Sequence, residues 1–141
     1  MSSNVNVNEF NQKLIEEYRA TKGNVTGMFA GRPLLLLTTL GAKSGQPRTQ
    51  PLVYTTDGDR IVIIASKGGA DTNPAWYSNL VANPEATIEL GAEKFQARAT
   101  KAEGAERKRL YDAQAALMPT FAEYEQKTAR EIPVFTLERI G

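Results

Sequence analysis

Two short stretches gather groups that could hold an anionic, planar ligand. The first is GAKSGQPR (41–48). Its two glycines permit a tight backbone and close ligand approach. Lys43 is a compact mobile charge, Arg48 a planar fork that matches phosphate, and Ser44 adds a hydroxyl. Exposed loop N–H groups can complete an anion nest. The spacing is not that of a Walker A loop. The competing reading is a hairpin turn whose basic residues sit in water. The second stretch is Ser66-Lys67-Gly68-Gly69. A strand end that opens into Lys-Gly-Gly exposes several backbone donors in one place, which suits a planar ring bearing carbonyl oxygens, or a second phosphate contact. The alternative is a flexible strand-to-helix connection.

Two further groups could complete a pocket. Trp76 and Asn79 lie about one helical turn apart, so they share a face. Trp76 either walls a ring pocket or packs as core. A buried Asn79 amide must find partners, in backbone groups or in a ligand. Phe121 and Tyr124 also lie on one face if their segment is helical. They read either as a packed aromatic pair or as a pocket wall in which Tyr124 is the best proton donor among the residue types present.

Composition narrows the chemistry. The chain has 141 residues, with no cysteine and no histidine. Disulfides, thiolate nucleophiles, Cys/His metal centres and histidine-based triads are excluded. No EF-hand spacing occurs, and no metal site is expected. The work falls to Ser, Thr, Tyr, Lys, Arg and carboxylates, or to a cofactor. Net charge is +1, and no nucleic-acid partner is expected. The distribution is more telling. From Tyr18 to Thr56 there is no Asp or Glu, yet Arg19, Lys22, Arg32, Lys43 and Arg48 all fall there. Such a one-signed segment points to a local anion site. No secretory signal is visible. The apolar run 34–37 is far too short to span a bilayer. A soluble cytoplasmic protein is expected.

These groups must be held by a framework. Residues 1–8 read as disordered, and 9–32 as an N-terminal helix and loop. Phe10, Leu14 and Tyr18 form its apolar stripe. Residues 34–40 read as a strand buried on both faces. Strands follow at 49–56 and 60–66, joined by Asp57-Gly58. Asn73 caps and Pro74 opens a helix with Trp76, Leu80 and Val81 on one face. Strands at 85–90 and 95–100 flank a turn at Gly91-Ala92. Helices follow at 103–117 and 120–130, and a last strand at 134–140. Strands and helices do not alternate as βαβ, so a doubly wound sheet is not expected. The fold class is mainly β with peripheral helices (α+β), one domain over 1–141, as a six-stranded antiparallel barrel whose closure removes exposed edges.

The order of these motifs resembles the deazaflavin-dependent nitroreductase family, within the flavin/deazaflavin oxidoreductase superfamily of split β-barrels. The resemblance rests on LLLLTTLGAKSGQPRTQPLVY (34–54), IVIIASKGGADTNPAWYSNLVANP (61–84), FQARAT (95–100) and PTFAEYEQKTAREIPVFTLE (119–138). It covers the chain from Leu34 onward. It implies a split barrel that binds coenzyme F420 rather than FMN and passes hydride to a quinone, an unsaturated ketone or lactone, or a nitro compound. Lys43, Ser44 and Arg48 would hold the phosphate of its tail. Ala65, Ser66, Lys67, Gly68 and Gly69 would line the deazaflavin and tail, with Pro51, Trp76 and Asn79 as further cofactor contacts. Tyr54, Trp76, Phe121 and Tyr124 would form the acceptor pocket, and Ser66 and Tyr124 would be the catalytic hydroxyls. Phe121 departs from nitroimidazole-activating relatives, which carry Tyr there. Losing that hydroxyl shifts expectation towards quinone or enone reduction. Three other readings stand beside this one: an FMN-binding split barrel, a non-catalytic F420 carrier, and a reductase whose N-terminal helix associates weakly with a membrane to reach menaquinone. Oligomeric state is left open, since split barrels of this superfamily are often dimers.

Overall fold

Period-two alternation within two apolar strands builds cores on both sides of one sheet. In β1 (Leu34–Leu40), Leu35 and Leu37 face the barrel interior, while Leu34 and Leu36 face outward. In β4 (Arg60–Ile64), Ile61 and Ile63 face inward, and Val62 and Ile64 outward. All eight side chains are buried, because each outward row is covered by helices. The computed structural model describes residues 7–140. Helix α1 (Val7–Thr21) lays Leu14, Ile15 and Tyr18 over Leu34 and Leu36. Helices α3 (Gly104–Leu117) and α4 (Thr120–Lys127) cover Val62 and Ile64 with Leu110, Tyr111 and Phe121.

The remaining strands are β2 (Pro47–Val53), β3 (Thr55–Asp57), β5 (Glu85–Leu90), β6 (Glu93–Lys101) and β7 (Val134–Arg139). Helix α2 (Ala75–Ala82) lies between β4 and β5. The sheet order is β2-β1-β5-β6-β7-β4-β3, antiparallel throughout. Its two edges, β2 and β3, are consecutive in the chain and separated by Tyr54 alone. The sheet must therefore curl until one bent strand serves both edges, which is how the split barrel closes. Tyr54 leaves the ladder by donating its N–H to Pro33 O at 3.1 Å.

That bend is why the sheet has seven strands rather than six: the strand expected at 49–56 divides at Tyr54. Other boundaries also shift. Helix α1 begins at Val7, inside the segment expected to be disordered, and residues 1–6 lie outside the described residues. Asn73 does not cap α2. Pro74 holds the cap position, and the Asn73 amide oxygen instead accepts from Arg130 Nη1 at 2.8 Å. Val81 is 61% exposed, not on the buried face of Trp76 and Leu80. Phe10 is half out of the α1 stripe and leans on Phe29, ring centres 6.3 Å apart.

Candidate functional site

Two adjoining clefts open on the outer surface of the barrel and share Gln50 and Trp76. One, of about 800 Å³, lies over the β1–β2 loop and the start of α2, and is lined by Lys43, Ser44, Arg48, Thr39 and Asn79. The other, of about 520 Å³, lies between β2, the segment after β4, and α4. It is lined by Pro51, Ser66, Lys67, Phe121 and Tyr124, with Phe29 and Arg32 from the segment before β1. Together they form one groove, cationic at one end and aromatic at the other. No Asp or Glu is among the residues lining either cleft.

The loop at the cationic end is held by its own bonds. The Gly41 N–H donates to Gln46 O at 2.8 Å and the Gly45 N–H to Gly41 O at 2.9 Å. The Gln46 N–H donates to Ser44 Oγ at 3.2 Å. A Cβ at Gly41 would stand 2.5 Å from Ser44 Oγ, so a side chain there would displace that hydroxyl from its bond to the Gln46 N–H. The Ala42 N–H donates to Asn79 Oδ1 at 2.9 Å, while Asn79 Nδ2 donates to Thr39 Oγ1 at 3.0 Å. So the expected nest is narrower than a free loop would offer. Lys43 and Ser44 keep N–H groups with no backbone partner among the described residues. The buried Asn79 amide has found protein partners: it pins the loop to α2 and leaves one amide hydrogen for a ligand.

Charge is also apportioned. Arg19 is held by Glu89 through two bonds, at 2.9 and 2.8 Å. Among the described residues Arg32, Lys43 and Arg48 have no acidic partner. These three line the groove. Lys67 adds a fourth cation, its Nζ 3.2 Å from Thr72 Oγ1.

The aromatic end is built on α4 and the 3₁₀ turn Lys67–Gly69. Phe121 is buried and meets Tyr124 edge-on at 5.2 Å and Tyr111 at 6.4 Å. The Tyr111 hydroxyl donates to Phe121 O at 2.5 Å, and burial pushes its pKa well up. It is a structural donor, fixed on the backbone of the wall. Lys67 holds φ at +48°, a conformation that costs an L-residue about 1–2 kcal/mol. Gly69, at φ +84°, lets the turn approach α4: a Cβ there would come within 3.0 Å of Lys127 Cβ and 3.2 Å of Tyr124 Cα.

Most of the expected site residues meet along this groove, but some do not. Ala65 is fully buried among the barrel-core side chains. Tyr54 packs against the same core, outside both cleft linings. Gly69 ends the turn that begins at Lys67 and is not among the lining residues, and the expected contact at Gly68 lies outside the described residues. The structure adds Arg32, Gln50 and Thr39 to the linings, and Arg130 on the backbone behind them. Arg32 belongs to the acid-free stretch that pointed to an anion site. Arg130 carries no local signal, because its partners are some sixty residues away in sequence.

A family model described as F420H(2)-dependent quinone reductase matches residues 11–139. An F420H(2)-dependent quinone reductase of Mycobacterium tuberculosis is 40% identical over 126 residues, covering 86% of this chain and 85% of that one. A solved F420-H2 dependent reductase (FDR-A) superposes with a TM-score of 0.70 at 40% identity, covering 76% of this chain and 95% of its own. A second solved chain, described as a domain-swapped dimer, gives 0.72 at 37% identity, covering 94% and 96%.

Proposed function

This chain belongs to the F420H(2)-dependent quinone reductase family, and from that premise we propose how its groove serves the reaction. The protein is an F420-dependent oxidoreductase that reduces a quinone. The observation that carries the site assignment is the continuous groove without carboxylates, cationic at one end and aromatic at the other. Its residues fit the cofactor. A phosphodiester and acidic tail match Lys43, Arg48 and the Ser44 hydroxyl, and carboxylates there would repel both. A flat ring fits between Trp76, Pro51 and the Ser66–Lys67 segment.

When bound, the reduced deazaflavin supplies the hydride. The chain supplies orientation and electrostatics. Lys43 and Arg48 anchor the tail. Pro51 gives the ring an apolar surface, while Trp76, only 3% exposed and packed in the barrel core, backs the floor between the two clefts. Phe121 and Tyr124 hold the acceptor and exclude water. The Ser66 hydroxyl makes no side-chain hydrogen bond to the described residues, so it and the Tyr124 hydroxyl are the groups placed to donate to a quinone oxygen as negative charge develops. Arg32 and Lys67 favour that charge from the cleft wall. With a phenylalanine at position 121, quinone and enone acceptors are served without the hydroxyl found in nitroimidazole-activating relatives.

Among the described residues no helix is long and apolar enough to cross a membrane. We place the protein in the cytoplasm. The apolar stripe of α1 is already occupied by β1, which argues against that helix as a lipid anchor. The first experiment is a titration of the purified protein with F420 and with FMN, followed through Trp76 fluorescence, then turnover with menadione. Tight F420 binding and quinone reduction are expected. Preference for FMN would overturn the cofactor assignment, and tight binding without turnover on any acceptor would indicate a carrier.

A further inference from the structure

Arg130 lies in the segment between α4 and β7, and its guanidinium is directed at the chain that follows β4. Its Nε donates to Ala70 O at 2.8 Å, Nη1 to Asn73 Oδ1 at 2.8 Å, and Nη2 to Ser66 O at 2.9 Å and Ala65 O at 3.2 Å. It is half-buried and has no acidic partner among the described residues. A cation in that setting is held by carbonyl dipoles alone, so it organises them strongly.

The carbonyls it gathers belong to particular peptide planes. Ala65 O shares its plane with the Ser66 N–H, and Ser66 O with the Lys67 N–H. In a trans peptide the C=O and N–H point in opposite directions, and no cis bond occurs in the described residues. Drawing both carbonyls onto the guanidinium therefore turns both N–H groups away from it. Ser66 and Lys67 are cleft-lining residues, and neither N–H makes a backbone hydrogen bond among the described residues. A cation bonded to a carbonyl also polarises the N–H of the same amide. The left-handed φ of Lys67 is the conformational cost of this arrangement, and such a residue persists only where its surroundings over-determine it.

We propose that Arg130 is a positioning residue: it aims and polarises the Ser66 and Lys67 amide N–H groups as a donor pair for a carbonyl oxygen of the ring bound in the aromatic cleft. This rests on the reading of that cleft as the deazaflavin site. Arg130 touches neither cofactor nor acceptor and acts through the backbone.

Arg130→Gln and Arg130→Lys test it, with two readouts. In the protein without cofactor, amide NMR shifts of Ser66 and Lys67 should move in Arg130→Gln while those of the β1–β2 loop stay in place. With F420, affinity should fall roughly ten- to a hundredfold, as for loss of a charge-assisted contact, and the bound cofactor's absorption band should shift. Arg130→Lys, which keeps the charge but not the fork, should fall between wild type and Arg130→Gln in both. A folded Arg130→Lys or Arg130→Gln with wild-type amide shifts and affinity would overturn the role. If Arg130→Gln does not fold, Arg130→Lys decides alone: wild-type values in it overturn the proposal, and partial loss in both readouts supports it. Wild-type protein that binds no F420, with the amide shifts still moving in Arg130→Gln, would instead fault the cofactor reading while leaving the aiming of the amides in place.

Discussion

At the scale of single residues, Lys43 and Arg48 carry charge that nothing in the described chain neutralises. Replacing either with alanine should weaken F420 binding by about 1.5–3 kcal/mol, roughly ten- to a hundredfold, without lowering thermal stability. A fluorescence titration checks this, and unchanged affinity would return the loop to a solvated turn. Asp57 behaves differently. Arg109 and Arg60 bond its carboxylate and hold its pKa far below the usual range. A depressed carboxylate contributes stability above its unfolded value, near ~3.9, and loses it as pH falls towards the folded value. Asp57→Asn should therefore lower the urea midpoint at pH 7, and the gap from wild type should narrow below about pH 4. Equal gaps at pH 7 and pH 3 would contradict that account.

At the scale of elements, the anion loop is no more rigid than its connection to α2. Asn79 supplies that connection through Ala42 N and Thr39 Oγ1. Asn79→Ala leaves the buried Thr39 hydroxyl without its partner, and should cost about 1–2 kcal/mol of stability. It should also weaken F420 several-fold, although Lys43 and Arg48 are untouched. Full retention of affinity would mean the loop orders itself. The aromatic end depends on similar links. Gly69 lets the 3₁₀ turn meet α4, and Arg130 ties the chain after α4 to the segment after β4. The turn that carries Lys67 and the helix that carries Phe121 and Tyr124 are thus tied together.

At the scale of the molecule, the groove concentrates positive potential although the chain as a whole is close to neutral. Arg32, Lys43, Arg48 and Lys67 line it, and no carboxylate is among the described residues of its walls. Exposed charges separated by more than about 8–10 Å are screened at physiological salt. F420 affinity should fall steadily as sodium chloride is raised, and more steeply in wild type than in Arg48→Ala. Isothermal titration at several salt concentrations measures both slopes. A flat response would show that ring contacts, rather than charge, carry binding.

Much of this protein was legible from local sequence. The strands at 34–40 and 85–90, the β3–β4 hairpin at Asp57-Gly58, and the turn carrying Lys43 all depend on nearest-neighbour chemistry: apolar alternation, glycine at turns, and charge without acids. Arg48, expected in that loop, lies inside β2, where it pairs with Thr39. The motif order also identified the family and its cofactor. What needed the tertiary structure were relations between distant segments. Closure of the barrel through a bend at Tyr54 depends on which strands pair with β2 and β3. Asn73 lost its expected capping role because Arg130, far along the chain, competes for its amide oxygen. Ala65 and Tyr54, just beyond the ends of β4 and β2, pack on the barrel core, and which way a strand's end turns is decided by the neighbouring segments. Gln50 reached the groove, and Arg130 the backbone behind it, by folding alone, since a side chain's partners across a closed sheet are set by register and not by sequence distance.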